Sequence, residues 1–298
     1  MRILLKTMTS PRPLTISVVT PSYRQPEWLR LCAASVADQT GDGLVVEHIV
    51  QDSLSGPDVA EALRPFPNVK LCSEKDAGMY DAINRGWEKA TGDILCWLNC
   101  DEQYLPGALS RVADYFRRHP ETEVLFADAF VVNPPGDYNC SRQVLVPLLY
   151  HSWICHLGTL SCATFFRRDL VKERGFTLDT RWKSVGDADL IVRLLRARVN
   201  MQVLRAYLSV FVDTGENLSL RPIALREMAA LAGEASRWAQ ALRRFWVVLH
   251  RVRRMLCGLY RPKPFSTDIY TQASPQRRVH LDVPHPTFHW RGRVDWRS

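Results

Sequence analysis

The chain has 298 residues, 46% of them hydrophobic and 23% charged, which is the balance of a folded globular protein and excludes a disordered or fibrous one. Its formal net charge of +8 is uneven: residues 237–298 carry thirteen Lys and Arg against three Asp and Glu, while the first 236 residues are slightly acidic. A near-neutral body with a basic tail points to an enzyme with an electrostatic docking surface, not to a uniformly basic nucleic-acid binder.

Eight cysteines are scattered without a CxxC pair, and Met1–Ser10 lacks an apolar block long enough for a signal peptide. No run of about 18 apolar residues is available to span a bilayer. These features set the expectation of reduced thiols in a cytoplasmic protein.

In chain order, the β-branched run Leu14–Thr20 predicts a strand, broken by Pro21-Ser22-Tyr23, and Pro26 opens a helix over 27–38. Leu44–Val50 predicts a second strand ending in Gln51-Asp52, then a small-residue loop and a helix near Asp58–Leu63. Val69–Cys72 predicts a third, ending in Ser73-Glu74-Lys75-Asp76-Ala77-Gly78. Met79–Ala90 reads as a helix with Ile83, Trp87 and Ala90 on its core face and Gly86 inside it for close packing. Repeated βα units with polar strand ends predict a mostly parallel, doubly wound sheet with its chemistry along one rim.

Gly92-Asp93-Ile94-Leu95-Cys96-Trp97-Leu98-Asn99-Cys100-Asp101-Glu102 is an apolar run stopping in acids. Read as a strand through Cys100, it places Asn99 and Asp101 two apart and facing one pocket, a hard-oxygen pair suited to Mg²⁺ or Mn²⁺. A helix is expected near 107–118, strands at 123–126, 143–146 and 162–166, and a helix at 168–174. Gly186-Asp187-Ala188-Asp189 then opens a helix, where one acid can cap while the other is left for chemistry. A further strand is expected over 200–212 and a helix over 222–233.

Trp238, Leu242, Phe245, Trp246, Leu249, Val252, Leu256 and Leu259 form an apolar helical stripe, with Arg237, Arg243, Arg244, Arg251 and Arg254 largely off it. Residues 237–261 could lie in an anionic membrane interface or dock on their own domain. The segment 261–298, rich in Pro, His and Arg, is expected to wrap on the surface or be partly mobile.

Five pieces carry a family resemblance: Ile16–Tyr23, His48–Asp52, Ser73–Gly86, Ala90–Glu102 and Gly186–Leu190. In that order and spacing, across roughly residues 14–220, they resemble family 2 glycosyltransferases of the inverting GT-A type. The resemblance implies a GT-A domain at 14–235 after a lead-in at 1–13, with a basic helical extension at 236–298. It implies a nucleotide-diphospho-sugar donor, UDP-sugar favoured, a divalent metal (Mg²⁺ or Mn²⁺), and a saccharide or lipid-linked acceptor in surface polysaccharide or glycan synthesis.

Carried onto these residues, the resemblance implies that Pro21, Ser22, Tyr23 and Asp52 serve the nucleoside. It places Asp76, Gly78, Asn84 and Asn99 in the nucleotide-sugar site, Asp101 on the metal, and Asp187 as the acceptor-side base, with Asp189 capping or orienting. Position 99 is Asn where the family often has Asp, and Ile83 stands where many relatives have Arg. His151, His156 and the loop Thr214–Ser219 are further candidates for acceptor or diphosphate contacts, beside the plainer reading of structural histidines. No Gly-rich phosphate loop follows the first strand. A nucleic-acid binder using the tail, or an inactive nucleotide-sugar-binding relative, is the competing reading, and no nucleic-acid partner is expected. The site implied is cytoplasmic, on or near the inner face of the membrane.

Overall fold

A computed structural model describes residues 12–215, 217 and 221–290. Strands β1 (Leu14–Ser22), β2 (Leu44–Asp52), β3 (Val69–Ser73) and β4 (Ile94–Trp97) pair in parallel in the order β3-β2-β1-β4. The buried runs of β1, β4 and the second half of β2 suit strands covered on both faces, while β3 at the edge is largely exposed. Helices α1 (Pro26–Ala37), α2 (Pro57–Leu63) and α3 (Met79–Lys89) connect them, with proline at the first turn of α1 and α2.

The sheet continues through five more strands. They are β5 (Glu102–Tyr104), β6 (Val124–Val132), β7 (Tyr138–Arg142), β8 (Thr164–Arg167) and β9 (Met201–Val212). β8 runs antiparallel between β4 and β6, β9 is parallel to β6, and β5 closes the edge on β9. This is a mixed α/β fold with a curled central sheet flanked by helices. Helix α4 (Ala108–Arg118) packs beneath, and α5 (Leu149–Ile154), α6 (Arg168–Lys172) and α7 (Gly186–Arg196) follow.

The core is anchored by Trp87, Trp97 and Phe166, which join α3, β4 and β8 with ring centroids 5.5–5.8 Å apart. Truncating a buried tryptophan of this kind costs about 3–5 kcal/mol. Gly86 is where α3 meets β1: a Cβ there would sit 2.3 Å from Val19 Cγ1, so the helix approaches this closely only without a side chain.

Several expectations change. The strand read as 94–100 stops at Trp97, and β5, unforeseen, begins at Glu102. The strand expected at 143–146 is instead β7 at Tyr138–Arg142, paired with β6. The strand near 123–126 is longer, because β8 pairs only its first three residues while β7 and β9 pair along the rest of β6. Of the eight cysteines, all without disulfides, six are buried as apolar filler.

After α8 (Pro222–Gly233), the basic helix breaks at Leu242 into α9 (Arg237–Ala241) and α10 (Arg243–Leu256). The tail then forms a hairpin, β10 (Phe265–Thr271) and β11 (Ser274–Val283), seated on the domain. Gln103 exchanges two hydrogen bonds with the Tyr270 backbone, Arg278 grips Asp38 with two nitrogens, and Phe265 packs among Phe130, Tyr138 and Tyr207. Among the described residues no helix is long and apolar enough to cross a membrane.

Candidate active site

The parallel register lines up Ser22, Asp52 and Ser73 across the carboxyl ends of β1, β2 and β3. Ligands collect outside such ends in open α/β sheets. Asp52 is buried, and its carboxylate accepts from the Ser55 amide (2.9 Å), the Ser55 hydroxyl (2.6 Å) and the Ser73 hydroxyl (3.2 Å). Pro21 and Ser22 are the last residues of β1. Tyr23 beyond them presents an exposed ring, with the Arg24 guanidinium 5.1 Å from its centroid. One ring face is thus a cation–π contact that an aromatic base can extend.

Asp76 sits one strand over, where its carboxylate accepts from the Gly78 amide at 2.9 Å. Gly78 has φ +125° and starts α3, a backbone state that favours glycine. Lys183 reaches across from the α7 side and donates to Ala77 O at 2.9 Å, leaving a small cleft between 77–81 and 180–183.

The acids after β4 lie in a tight turn, not on a strand. Glu102 N donates to Asn99 O (3.0 Å), and the Glu102 carboxylate accepts from Asn99 N (2.8 Å), so the turn locks itself at both ends. Asp101 is carried at its apex, with Asn217 Nδ2 3.5 Å away. The buried oxygens Asn99 Oδ1 and Asn217 Oδ1 find no hydrogen-bond partner among the described residues. Unpaired buried oxygens beside a carboxylate fit a hard cation and its waters.

Asp187 is the second residue of α7 and accepts from the Ala188 amide at 2.8 Å. Two devices place it. Glu227 of α8 accepts the Lys183 and Ser184 amides, each at 2.8 Å, fixing the loop that enters α7. Gly186 lets the Tyr80 ring close in: a Cβ there would fall 2.6 Å from it. Asp189 pairs with Arg193 (2.8 Å) one turn on and does not cap.

These acids share a field. Burial pushes the Asp187 carboxyl up to about 6, against the lowering effect of hydrogen bonds from Ala188 and Tyr80. Burial also raises Asp101, and burial together with repulsion from Asp101 and Asp187 pushes Glu102 up to about 8. Cys100, between strand ends, feels both Asp101 and Asp52. Asp101, Glu102 and Asp187 thus influence one another electrostatically, and Ser53 Oγ (3.4 Å from Asp76 N) and Lys183 tie the Asp76 loop to the end of β2 and to the entry of α7.

A stability test follows from Glu102. Its folded pKa lies above the unfolded value, so the folded state holds the proton longer and loses stability as pH rises through that interval. Buried His48, lowered to about 4, acts in the opposite direction only below about pH 6.5. Thermal denaturation without divalent metal should therefore show Tm falling between about pH 6.5 and 8, and Glu102→Gln should flatten that slope. A slope unchanged by the substitution would remove Glu102 as its source.

Three sequence candidates are otherwise engaged. Asn84 exchanges both side-chain bonds with the Leu178 backbone (2.7 and 3.0 Å), so its amide secures the 176–178 segment. His151 and His156 cluster with His250, their ligating atoms within 4.8 Å of one another, the only such three-residue group among the described residues. Burial first, then His151 and the cations Arg254, Arg253 and Arg142, lower His250 to about 3. That positive surrounding opposes a second cation. Of the loop 214–219, residues 216, 218 and 219 lie outside the described residues. Lys183, Tyr80 and Glu227 carry no role by sequence, because their partners lie at positions that spacing does not expose; Asn217 enters only as part of the loop 214–219, and Glu102 only as the acid that adjoins Asp101.

Residues 17–173 match the family model for Glycosyl transferase family 2, more than half of the chain. The chain belongs to glycosyltransferase family 2. Over 207 residues it is 28% identical to a PGL/p-HBAD biosynthesis glycosyltransferase of Mycobacterium tuberculosis, covering 66% of this chain and 74% of the relative. Among solved structures, S. aureus TarS 1–349 in complex with UDP-GlcNAc superposes with TM-score 0.58 at 18% identity, over 82% of this chain and 73% of that one. A mannosyltransferase from Pyrobaculum calidifontis, PcManGT in complex with GDP-Man and Mn2+, gives TM-score 0.51 at 17% identity, over 84% and 80%. At these identities the structural likeness carries the GT-A fold alone. The family 2 membership makes the chain a glycosyltransferase.

Proposed function

We propose that this glycosyltransferase moves a sugar, with inversion, from a nucleotide-diphospho-sugar to a saccharide or lipid-linked saccharide. UDP-sugar is the favoured donor as the commonest case in the family; the structural neighbours are complexes with UDP-GlcNAc and with GDP-Man, so they do not choose the base. The observation that carries the reading is the meeting of Asp101, Glu102 and Asp187 in one buried field. Such mutual repulsion costs stability unless a cation or donor-rich ligand relieves it.

Asp52 accepts hydrogen bonds from the base or ribose, and Tyr23 stacks on the base, with Pro21 and Ser22 shaping the strand end. The Asp76–Gly78 turn faces the donor's sugar and phosphates. Asp101, with Asn99, would hold Mg²⁺ or Mn²⁺, which when bound neutralises charge developing on the diphosphate leaving group. The acids do not converge in one coordination sphere, since the histidine trio is the only such group among the described residues. The protein would then supply few of the ion's ligands, leaving the rest to phosphate oxygens and water. Asp187 takes the acceptor hydroxyl's proton as its oxygen attacks C1 from the face opposite the leaving group. The test is calorimetric titration with UDP, GDP, ADP and CDP: one should bind at least about tenfold more tightly with Mn²⁺ than with chelator. No metal-responsive binding to any of the four would reject the reading.

A further inference from the structure

Helix α10 is seated inside out. Its residues Trp246, Val247, His250, Arg253 and Arg254 face the domain, where Arg253 donates to Val146 O (3.2 Å) and Arg254 to Gln143 O (2.9 Å). The stripe recognised in the sequence thus splits. Trp246 docks against Tyr150, whereas Phe245, Val248, Val252, Met255 and Leu256 stand in solvent, from 39% exposed at Val252 to 77% at Leu256. Their spacing of three and four residues sets them on one outer face. Trp238 and Leu242 extend it along α9, so the apolar ridge runs the full length of α10, about 21 Å, and beyond.

A tail helix docked on its own domain buries its apolar stripe and shows its arginines. Here the arginines 253 and 254 are turned inward and the apolar side is left outside, which argues for an occupant. Charge selects it. Arg237, Arg243 and Arg244 are exposed beside the ridge, and Arg244 and Arg251 share one flank of α10 by helical spacing. Packing two antiparallel copies about a two-fold axis would set like flanks, and so like arginines, against each other. An anionic lipid surface instead receives the ridge among its acyl chains and the arginines among its headgroups. Trp238 at the ridge's end suits the interface between them.

We infer that the outer face of α9–α10 is a membrane-seating surface for anionic bilayers. It requires no transferase chemistry, so its test stands apart from the catalytic reading. The full chain is sedimented at low salt with vesicles of phosphatidylglycerol and phosphatidylcholine, and with phosphatidylcholine alone. Val248→Asp/Val252→Asp and Arg244→Glu, all at exposed positions, are run alongside, with nucleoside diphosphate binding and circular dichroism as fold controls. The wild-type chain should pellet with the anionic vesicles and not with the neutral ones. The double aspartate variant should partition at least about tenfold less, and Arg244→Glu less than wild type, with nucleotide binding unchanged. Failure of the wild-type chain to pellet, or equal pelleting of the double variant, would overturn the inference. So would a wild-type dimer in light scattering that the double variant turns into a monomer, since a second copy would then be the occupant.

Discussion

Asp187→Asn is expected to lower sugar transfer by about 10²–10⁴-fold, the usual worth of a positioned general base, while leaving donor binding close to that of the wild type. The substitution is nearly isosteric. Its side-chain oxygen can still accept from the Ala188 amide, and Gly186 still admits the Tyr80 ring. What it cannot do is take a proton. Because burial holds the wild-type carboxyl near 6, the base is ionised at neutral pH yet still basic enough to assist attack. In the wild-type enzyme kcat/KM should accordingly climb as pH rises through about 6 and then level off. Full transfer by Asp187→Asn would rule this residue out as the base, and loss of donor binding as well would point to a collapsed pocket.

Asp101→Ala is expected to remove the metal dependence of nucleotide binding. Asp101 would help hold an ion whose charge stabilisation of a diphosphate is worth several kcal/mol, so the Mn²⁺-dependent part of the affinity should fall by about 10²-fold or more. The same variant should fold at least as well as the wild type without metal, because it deletes a carboxylate that burial disfavours in its charged form and that repels Glu102. Weaker nucleotide binding with an undiminished Tm separates a lost ligand from a damaged fold. An affinity that still responds to Mn²⁺ would take Asp101 out of the metal site.

Local signals made the front of the fold legible. Pro26 and Pro57 fix two helix starts, β-branched runs mark the first two strands, and each strand ends where small and acidic residues begin. That pattern also singled out Asp52, Asp76, Asp101 and Asp187, and the register sets Asp52 between Ser22 and Ser73 at the strand ends.

The remainder depended on partners far along the chain. Leu98 and Cys100 read as strand because both are apolar, yet the reciprocal bonds of Asn99 and Glu102 fold that stretch into a turn. Glu227 orients the Asp187 loop from more than forty residues away. Periodicity gave α10 its stripe but not its facing, which is decided by the carbonyls that Arg253 and Arg254 find. The hairpin at 265–283 carries few apolar signals of its own. It is held by Asp38, Gln103 and Phe130, none of them near in sequence.

The central claim is that acids from separate segments tolerate one another because a cation and a pyrophosphate come to lie between them. Counting free Mn²⁺ by electron paramagnetic resonance, in a titration of the protein with UDP present, tests it most directly. A single ion should disappear from solution per wild-type chain, only with the nucleotide present, and none with Asp101→Ala. Wild-type protein that sequesters no Mn²⁺ beside bound UDP, or a variant that sequesters it equally, would contradict the claim.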